Sequence, residues 1–473
     1  MVSYDQWIPI PERQFALLLT FLAIALRGYY AATLYFNPDE AMHSSAAISG
    51  DFTAYHHPPL SFWLVWLSAF FSEQLWWLRL PSVVAGGLLP ALIGVWLRRH
   101  VHPVTAWGLA ALIAVLPNFV LLTIQIRGYA IALAAIVAAM IALDRAFDTL
   151  SRRWLILHFG FFYIAILSEF MIVWAAIGLG CYALTHSSIR SLFRVWAAGQ
   201  AVALGLYAAL YVTVVAPIAQ SYSTESLIKT YLFGAFPVRG QSIVIFAATG
   251  VFKQLVYLAG GIPAGTIAFV FAAFGIGLWL WRRDPLACLC VMPFAAVAGA
   301  ILRVYPFGRS RHTVVIGVIC LLAIGVSIDW LARRFPLARW GVPLTLLATG
   351  LAFPMPDVHN IPTEEWKAAR LTRLEQVLRE TVPAGATVVV DSETFRLLQF
   401  HFVPRSHRSY RRRESEPLSV RQFSMRSVAR GQVLEGGGYW LLDAGFSLKD
   451  VHPPPGSELA YHDPGVAMLY RIP

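Results

Sequence analysis

Charge is what this sequence has least of: only 13% of its 473 residues are Asp, Glu, Lys or Arg, about half the share usual in soluble domains. That shortage excludes a water-soluble enzyme. It also excludes a disordered chain, which needs low hydrophobicity and abundant charge. Cysteine is sparse too. Cys181, Cys288, Cys290 and Cys320 all fall in apolar runs, where they read as small apolar side chains rather than a disulfide framework or a zinc set. There is no Gly-X-Y period and no short internal repeat, which removes collagen-like and solenoid architectures. The Gly436 to Gly438 run lacks the strand-loop-helix setting of a phosphate loop and marks a turn.

What fills the chain instead is apolar: 58% hydrophobic residues, with 14% aromatics. The sequence predicts a polytopic α-helical membrane protein with about eleven transmembrane helices, most of them near the ~20 residues that a bilayer requires and the fifth and sixth short. They are expected at Gln14 to Phe36, Leu80 to Leu97, Val104 to Thr123, Tyr129 to Phe147, Trp154 to Leu167, Phe170 to Leu184, Phe193 to Val215, Ile262 to Trp281, Leu286 to Leu302, Thr313 to Leu331 and Trp340 to Phe353. The first of these reads as an anchor rather than a cleaved signal, because no small-residue cleavage site precedes the polar loop.

The net charge of +11 sits unevenly. Up to Phe353 there are 22 basic and 12 acidic residues, and after it 15 and 14. With the amino terminus in the cytoplasm, the Arg residues at 98, 99, 145, 152, 153, 190, 194, 282, 283, 333, 334 and 339 fall together on the inner face, as the positive-inside rule requires. The expected location is the cytoplasmic (inner) membrane. The outer face then receives the loop after the first helix, the segment Ala216 to Gly261, the turn Arg303 to His312 and the carboxy-terminal tail. The domain boundary is expected at 353/354. From 354 to 473 the composition becomes polar and Pro-rich, and a helix at Glu364 to Thr381 with strands at Thr387 to Asp391, Tyr439 to Leu442 and Val466 to Arg471 predicts a small extracytoplasmic α/β domain. Its basic cluster, Arg405 to Arg413, reads as a solvated surface or as an anionic headgroup or glycan contact.

Candidate chemistry concentrates on the outer face. Asp39 and Glu40 follow the first helix directly, and carboxylates beside a bilayer are costly unless they face water or a basic partner. The bland alternative is a helix cap after Pro38. Close by lie His56 and His57, an aromatic stretch from Leu60 to Phe71 suited to the lipid interface, and Arg79. Arg127 and Tyr129 in QIRGY, and Arg309, Arg311 and His312 in YPFGRSRHT, place cations where positive-inside bias disfavours them. Guanidinium groups there suit a phosphate held at the membrane, or else snorkel to headgroups. Glu169, in the turn of SEF, is expected on the same side as an Arg partner.

These residues resemble the C-type (GT-C) glycosyltransferases, in the branch of protein O-mannosyltransferases, lipid A aminoarabinose transferases and rhizobial core transferases. The resemblance rests on Asp39–Glu40, HPPL at His57 to Leu60, RLPS at Arg79 to Ser82, R-x-Y at Arg127 to Tyr129, the basic turn Arg309 to His312 and the EWK-like start at Glu365 to Lys367. It implies an inverting transfer, outside the membrane, from a polyprenyl-phosphate-linked sugar donor to a glycan, lipid or protein acceptor hydroxyl, with no nucleotide at the site. It further implies Asp39 as general base, Glu40 orienting it or touching the sugar, and Arg309, Arg311 and Arg127 receiving the departing phosphate. His57 stands where some relatives carry Lys, and His is cationic only near or below its pKa of about 6.5. His56, Arg79 and Glu169 are further substrate contacts, and Ala216 to Gly261 would form a lid offering Tyr222, Lys229, Tyr231 and Arg239. No cofactor is expected to be required. A divalent ion at His43, His56, His57 and Asp39 stays open, and no nucleic-acid partner is expected. The competing readings are a flippase of lipid-linked sugars, which would place ionisable groups near mid-membrane, an O-antigen polymerase or ligase, and a membrane scaffold.

Overall fold

The computed structural model describes residues 12–34, 37–50, 57–217, 234–308, 311–352, 368–391, 394–395, 398–400, 418–420, 423–428, 438–443, 455–463 and 467–472. The chain forms two compact units. One takes Met1–Gly28, His56–Ser61 and Leu80–His359; the other takes Tyr29–Tyr55, Phe62–Arg79 and Asn360–Pro473.

The regular secondary structure described in the first unit is helical. It contains the first part of α1 (Glu12–Thr33), then α5 (Leu80–Leu97), α6 (Pro103–Val115), α7 (Pro117–Ile124), α8 (Tyr129–Thr149), α9 (Arg152–Ser168), α10 (Ile172–Thr185) and α11 (Ile189–Leu210). After α11 come α12 (Ile243–Ala259), α13 (Ile262–Arg282), α14 (Val291–Ile301), α15 (Val315–Ala332) and α16 (Ala338–Ala352). Among the described residues, six helices are long and apolar enough to cross a membrane, and a bent pair makes a seventh if it is one span. Backbones approach closely where side chains are small, as in many membrane bundles. A Cβ on Gly275 of α13 would stand 2.0 Å from the Ala323 carbonyl oxygen of α15.

The helices depart from the sequence expectation at three places. The helix expected at Val104 to Thr123 is instead α6 and α7, bent by 64°, because Pro117 has no N–H to give and its ring clashes with the preceding turn. Much of the expected outer loop is α12, whose 17 residues include Lys253 and Gln254; these interrupt the apolar run that a hydropathy reading needs. The helix expected from Leu286 begins as a 3-10 turn, Pro285–Cys290.

The bend has a dedicated partner. Arg27 of α1 is fully buried; its Nε donates to Thr123 Oγ1 at 2.9 Å and its Nη1 to the Ala114 carbonyl at 3.1 Å. That carbonyl lies in the last turn of α6, where helical amide donors run out. The opposite ends of the helices carry a different chemistry. Arg99 pairs with Asp144 and Asp148, His100 with Asp144, Arg98 with Glu12 and Arg339 with Asp329. Arg98, Arg99 and Arg339, which the sequence assigns to one face, are therefore each matched by a carboxylate.

The second unit holds α2 (Pro38–Ser49), most of α3 (Pro59–Phe71), the single turn α4 (Leu75–Leu78), α17 (Ala368–Thr381) and a six-stranded sheet. The strands are β1 (Thr387–Asp391), β2 (Leu418–Val420), β3 (Phe423–Val428), β4 (Gly438–Asp443), β5 (Glu458–Asp463) and β6 (Ala467–Ile472), in the order β2-β3-β1-β4-β6-β5. β1 is parallel to both its neighbours, and Val388, Val389 and Val390 are all buried, as a central parallel strand covered on both faces requires. Leu374, Val377 and Leu378 form the apolar stripe of α17.

Removing the guanidinium at the bend leaves a buried carbonyl and hydroxyl without their donor, a loss of about 1–3 kcal/mol for a buried acceptor. Arg27→Met is therefore expected to lower the unfolding midpoint of the detergent-solubilised protein by several degrees. An unchanged midpoint would show that the bend does not depend on Arg27.

Candidate active site

In the second unit, Asn37 caps α2 in both directions. Its side chain accepts from the Glu40 N–H at 2.8 Å, and Glu40 Oε2 accepts from the Asn37 N–H at 3.1 Å, with Pro38 at the first helical position. This capping box fixes the start of α2. Arg79 then engages both Glu40 oxygens, Nε to Oε1 at 3.1 Å and Nη2 to Oε2 at 2.9 Å. Its Nη1 donates to the Ala31 and Leu34 carbonyls. Both charges are about 1% exposed, so the Glu40 carboxylate and the Arg79 guanidinium are committed to each other and to backbone. Asp39 is half-buried in the first turn of the helix thus held, at the positive end of its dipole. His43, one turn further along, is buried and stacked on Phe62 with ring centroids 4.0 Å apart.

In the first unit, five of the sequence motifs meet at the amino-terminal end of α8. Arg127 Nη1 lies 2.6 Å from His57 Nε2. A guanidinium has no acceptor capacity, so Nε2 must accept and the ring hydrogen stands on Nδ1, 3.7 Å from Glu169 Oε1. Ser82 Oγ donates to the Arg127 carbonyl at 3.4 Å. Gly128 packs so tightly that a Cβ would stand 2.0 Å from the Ser168 carbonyl oxygen, which is why the residue between Arg127 and Tyr129 has no side chain. Arg311 lies over the ring of buried Tyr129, its guanidinium carbon 6.0 Å from the centroid. Tyr305 packs against Trp174 and His312, and burial pushes its hydroxyl well above the usual phenol range.

Glu169 is the buried centre of this group. Burial pushes its carboxyl up to about 8, against the opposing pull of Arg127, Arg311 and the Phe170 and Gly128 N–H groups. At neutral pH the balance is a protonated carboxyl beside two fixed cations. The cluster thus carries net positive charge at the end of the helices away from the Arg99–Asp144 pairs, on α8 itself.

The structure thus places His57, Arg127, Tyr129, Glu169, Arg311 and His312 in the first unit and Asp39, Glu40 and Arg79 in the second. His56, Arg309, Tyr222, Lys229, Tyr231 and the cluster Arg405 to Arg413 lie outside the described residues. Arg239 lines a separate cavity. Among the described residues no three His, Cys, Asp or Glu side chains are placed to hold a metal ion. Ser82, Gly128 and Tyr305 were missed in the sequence, although each lies inside or beside a motif that it marked.

Residues 56–216 match the family described as dolichyl-phosphate-mannose-protein mannosyltransferase. No curated protein sequence matches the chain. Among solved structures, the fold is similar to that of ArnT from Cupriavidus metallidurans in the apo state, with a TM-score of 0.54 and 13% identity over 97% of this chain and 98% of that one. The same protein bound to undecaprenyl phosphate gives 0.51 and 12%, over 97% of each chain. The Archaeoglobus fulgidus oligosaccharyltransferase in complex with zinc and sulfate gives 0.50 and 15%. This chain is covered over 82% of its length in that match but spans only 61% of the oligosaccharyltransferase. The fold is that of the C-type glycosyltransferases, as the motifs implied: a many-helix membrane part with a small carboxy-terminal sheet.

The raised Glu169 carboxyl has a defined pH signature. The folded protein keeps a proton that the unfolded chain releases above the ordinary value of 4.5. Stability from this group is therefore full below that value and is lost as pH rises to about 8, a change of a few kcal/mol. Unfolding followed from about pH 5 to pH 9 should show this fall in the wild type and a flatter profile in Glu169→Gln. Identical profiles would contradict a neutral Glu169.

Proposed function

We infer that this chain, a membrane glycosyltransferase of the C-type fold, moves a sugar from a polyprenyl-phosphate donor to an acceptor hydroxyl on the outer face of the cytoplasmic membrane. The observation that carries this reading is the convergence of Arg127 and Arg311 on one buried spot at the amino-terminal end of α8. An undecaprenyl phosphate occupies the similarly folded ArnT, and a phosphate is what two guanidinium groups in a low-dielectric setting serve best.

In this reading the bond from the anomeric carbon to the phosphate oxygen breaks while the acceptor oxygen bonds the same carbon from the opposite side, inverting it. Asp39 takes the acceptor proton. Arg127 and Arg311, with Arg309 and His312 from the same basic turn, meet the negative charge that develops on the departing polyprenyl phosphate, which is where electrostatic catalysis acts. His57 serves Arg127 more than the ligand: as an acceptor through Nε2 it fixes the direction of the guanidinium. Glu169, kept protonated by burial, adds no negative charge against the phosphate. Tyr129 supports Arg311 through its ring face. Glu40 and Arg79 act by holding α2, and through it Asp39. In this topology the carboxy-terminal segment from 354 to 473 is extracytoplasmic and the amino terminus cytoplasmic.

Release of polyprenyl phosphate from a panel of polyprenyl-phosphate sugars by the purified protein in lipid tests the reading. Wild type is expected to release it from at least one donor. Arg127→Gln and Arg311→Gln should each raise the donor KM at least tenfold, as loss of a charge-assisted contact of about 1.5–3 kcal/mol implies. Unchanged donor KM in both would remove the phosphate assignment.

A further inference from the structure

A cavity of about 320 Å³ opens among the 234–241 segment, one face of α12 and the turn after α14. Its lining includes Arg239, Lys253 and Arg303 and no carboxylate. None of these three cations has an ion-pair partner among the described residues, whereas Arg98, Arg99 and Arg339 each meet an acid. Three like charges around one cavity repel one another, and an anion between them reverses the sign of the interaction. Gln241 adds a directed donor: its Oε1 accepts from the Val238 N–H at 3.1 Å, which leaves the amide –NH2 for a ligand.

The surroundings of the cavity narrow the class of anion. Val238, beside Arg239 in the lining, and Leu302 and Val304, which flank Arg303 in sequence, are all more than 60% exposed, while Phe236 and Phe246 form buried walls. A cationic pocket with an exposed aliphatic rim suits a ligand with a phosphate head and hydrocarbon chains. One side of the pocket is backed by an aromatic ring. Phe307 is buried against Phe246 and against Gly250, where a Cβ would stand 2.1 Å from its ring. Phe307 thus backs the lining formed by those two residues, and none of Arg127, Tyr129, Glu169 and Arg311 lines the cavity.

We propose that the cavity at Arg239, Lys253 and Arg303 is a second lipid-phosphate site, which takes the phosphate headgroup of a lipid other than the sugar donor. The distinction from the donor rests on the function proposed above, in which Arg127 and Arg311 hold the donor phosphate. Two sources share this chemistry, a phosphate-bearing lipid acceptor and an anionic phospholipid of the surrounding bilayer.

Native mass spectrometry of the purified full chain, titrated with phosphatidic acid, phosphatidylcholine and undecaprenyl phosphate, tests the assignment. Wild type should bind phosphatidic acid at least tenfold more tightly than phosphatidylcholine. The triple variant Arg239→Gln/Lys253→Gln/Arg303→Gln should lose that preference and keep undecaprenyl phosphate; all three side chains are exposed, and an unchanged unfolding midpoint serves as the folding control. Arg127→Gln/Arg311→Gln should do the reverse. No preference in the wild type, or full preference in the triple variant, overturns the site, and loss of undecaprenyl phosphate by the triple variant overturns its separation from the donor. If only the Arg127→Gln/Arg311→Gln arm fails, the donor assignment falls while the cavity stands as a phosphate site. Transfer of labelled sugar into membrane lipid extract then separates the sources: the triple variant loses product if the site holds the acceptor and keeps it if the site holds a bilayer lipid.

Discussion

Arg79 and Glu40 meet in two parallel hydrogen bonds with almost no water on either charge. A buried pair of this kind gains little net stability, because desolvation offsets most of the attraction, yet losing one partner costs about 3–5 kcal/mol. Its effect here is geometric. Glu40 is the third helical residue of α2 and closes the capping box with Asn37. Arg79 also gathers the Ala31 and Leu34 carbonyls, so the end of α1, the start of α2 and the approach to α5 are tied to one guanidinium. Asp39, adjacent to Glu40, has its backbone position set by that knot.

The membrane part obeys a complementary constraint. Bilayer interior supplies no hydrogen bonds, so each irregular backbone group there needs an internal partner, and Arg27 at the Pro117 bend answers that need. Charged groups gather at the helix ends, with opposite consequences at the two ends of α8. At its carboxy-terminal end Asp144 and Asp148 pair with Arg99, and Asp144 also meets the His100 ring. At its amino-terminal end Arg127 faces His57 and a Glu169 whose charge burial suppresses. At one end Arg99 is matched by carboxylates; at the other the positive charge of Arg127 is not.

Much of this was legible in the sequence because it depends on composition and on residues close together in the chain. Leu80 to Leu97 was read to the residue, and the strand at Thr387 to Asp391 likewise. The motifs HPPL, RLPS, RGY and SEF were marked, and the structure joins His57, Ser82, Arg127 and Glu169 from them. What the sequence hid was pairing across distance. Nothing local says that Arg79 is spent on Glu40, 39 residues away, or that His57 accepts from Arg127, 70 residues away. α12 escaped because Lys253 and Gln254 break its apolar run, although Gln254 is buried, accepting from Thr313 at 2.8 Å. β2, β3 and β5 escaped because LSV is too short to show a period, and the alternation of FSMRSV and ELAYHD breaks within a few residues.

The central claim is that Asp39 removes the proton from the acceptor. Single-turnover transfer from a pre-bound polyprenyl-phosphate sugar, comparing wild type with Asp39→Asn, addresses it most directly. The account predicts unchanged donor affinity and unfolding midpoint, with transfer reduced by at least about a hundredfold, the scale of a lost general base. Transfer by Asp39→Asn at a rate close to wild type would contradict it.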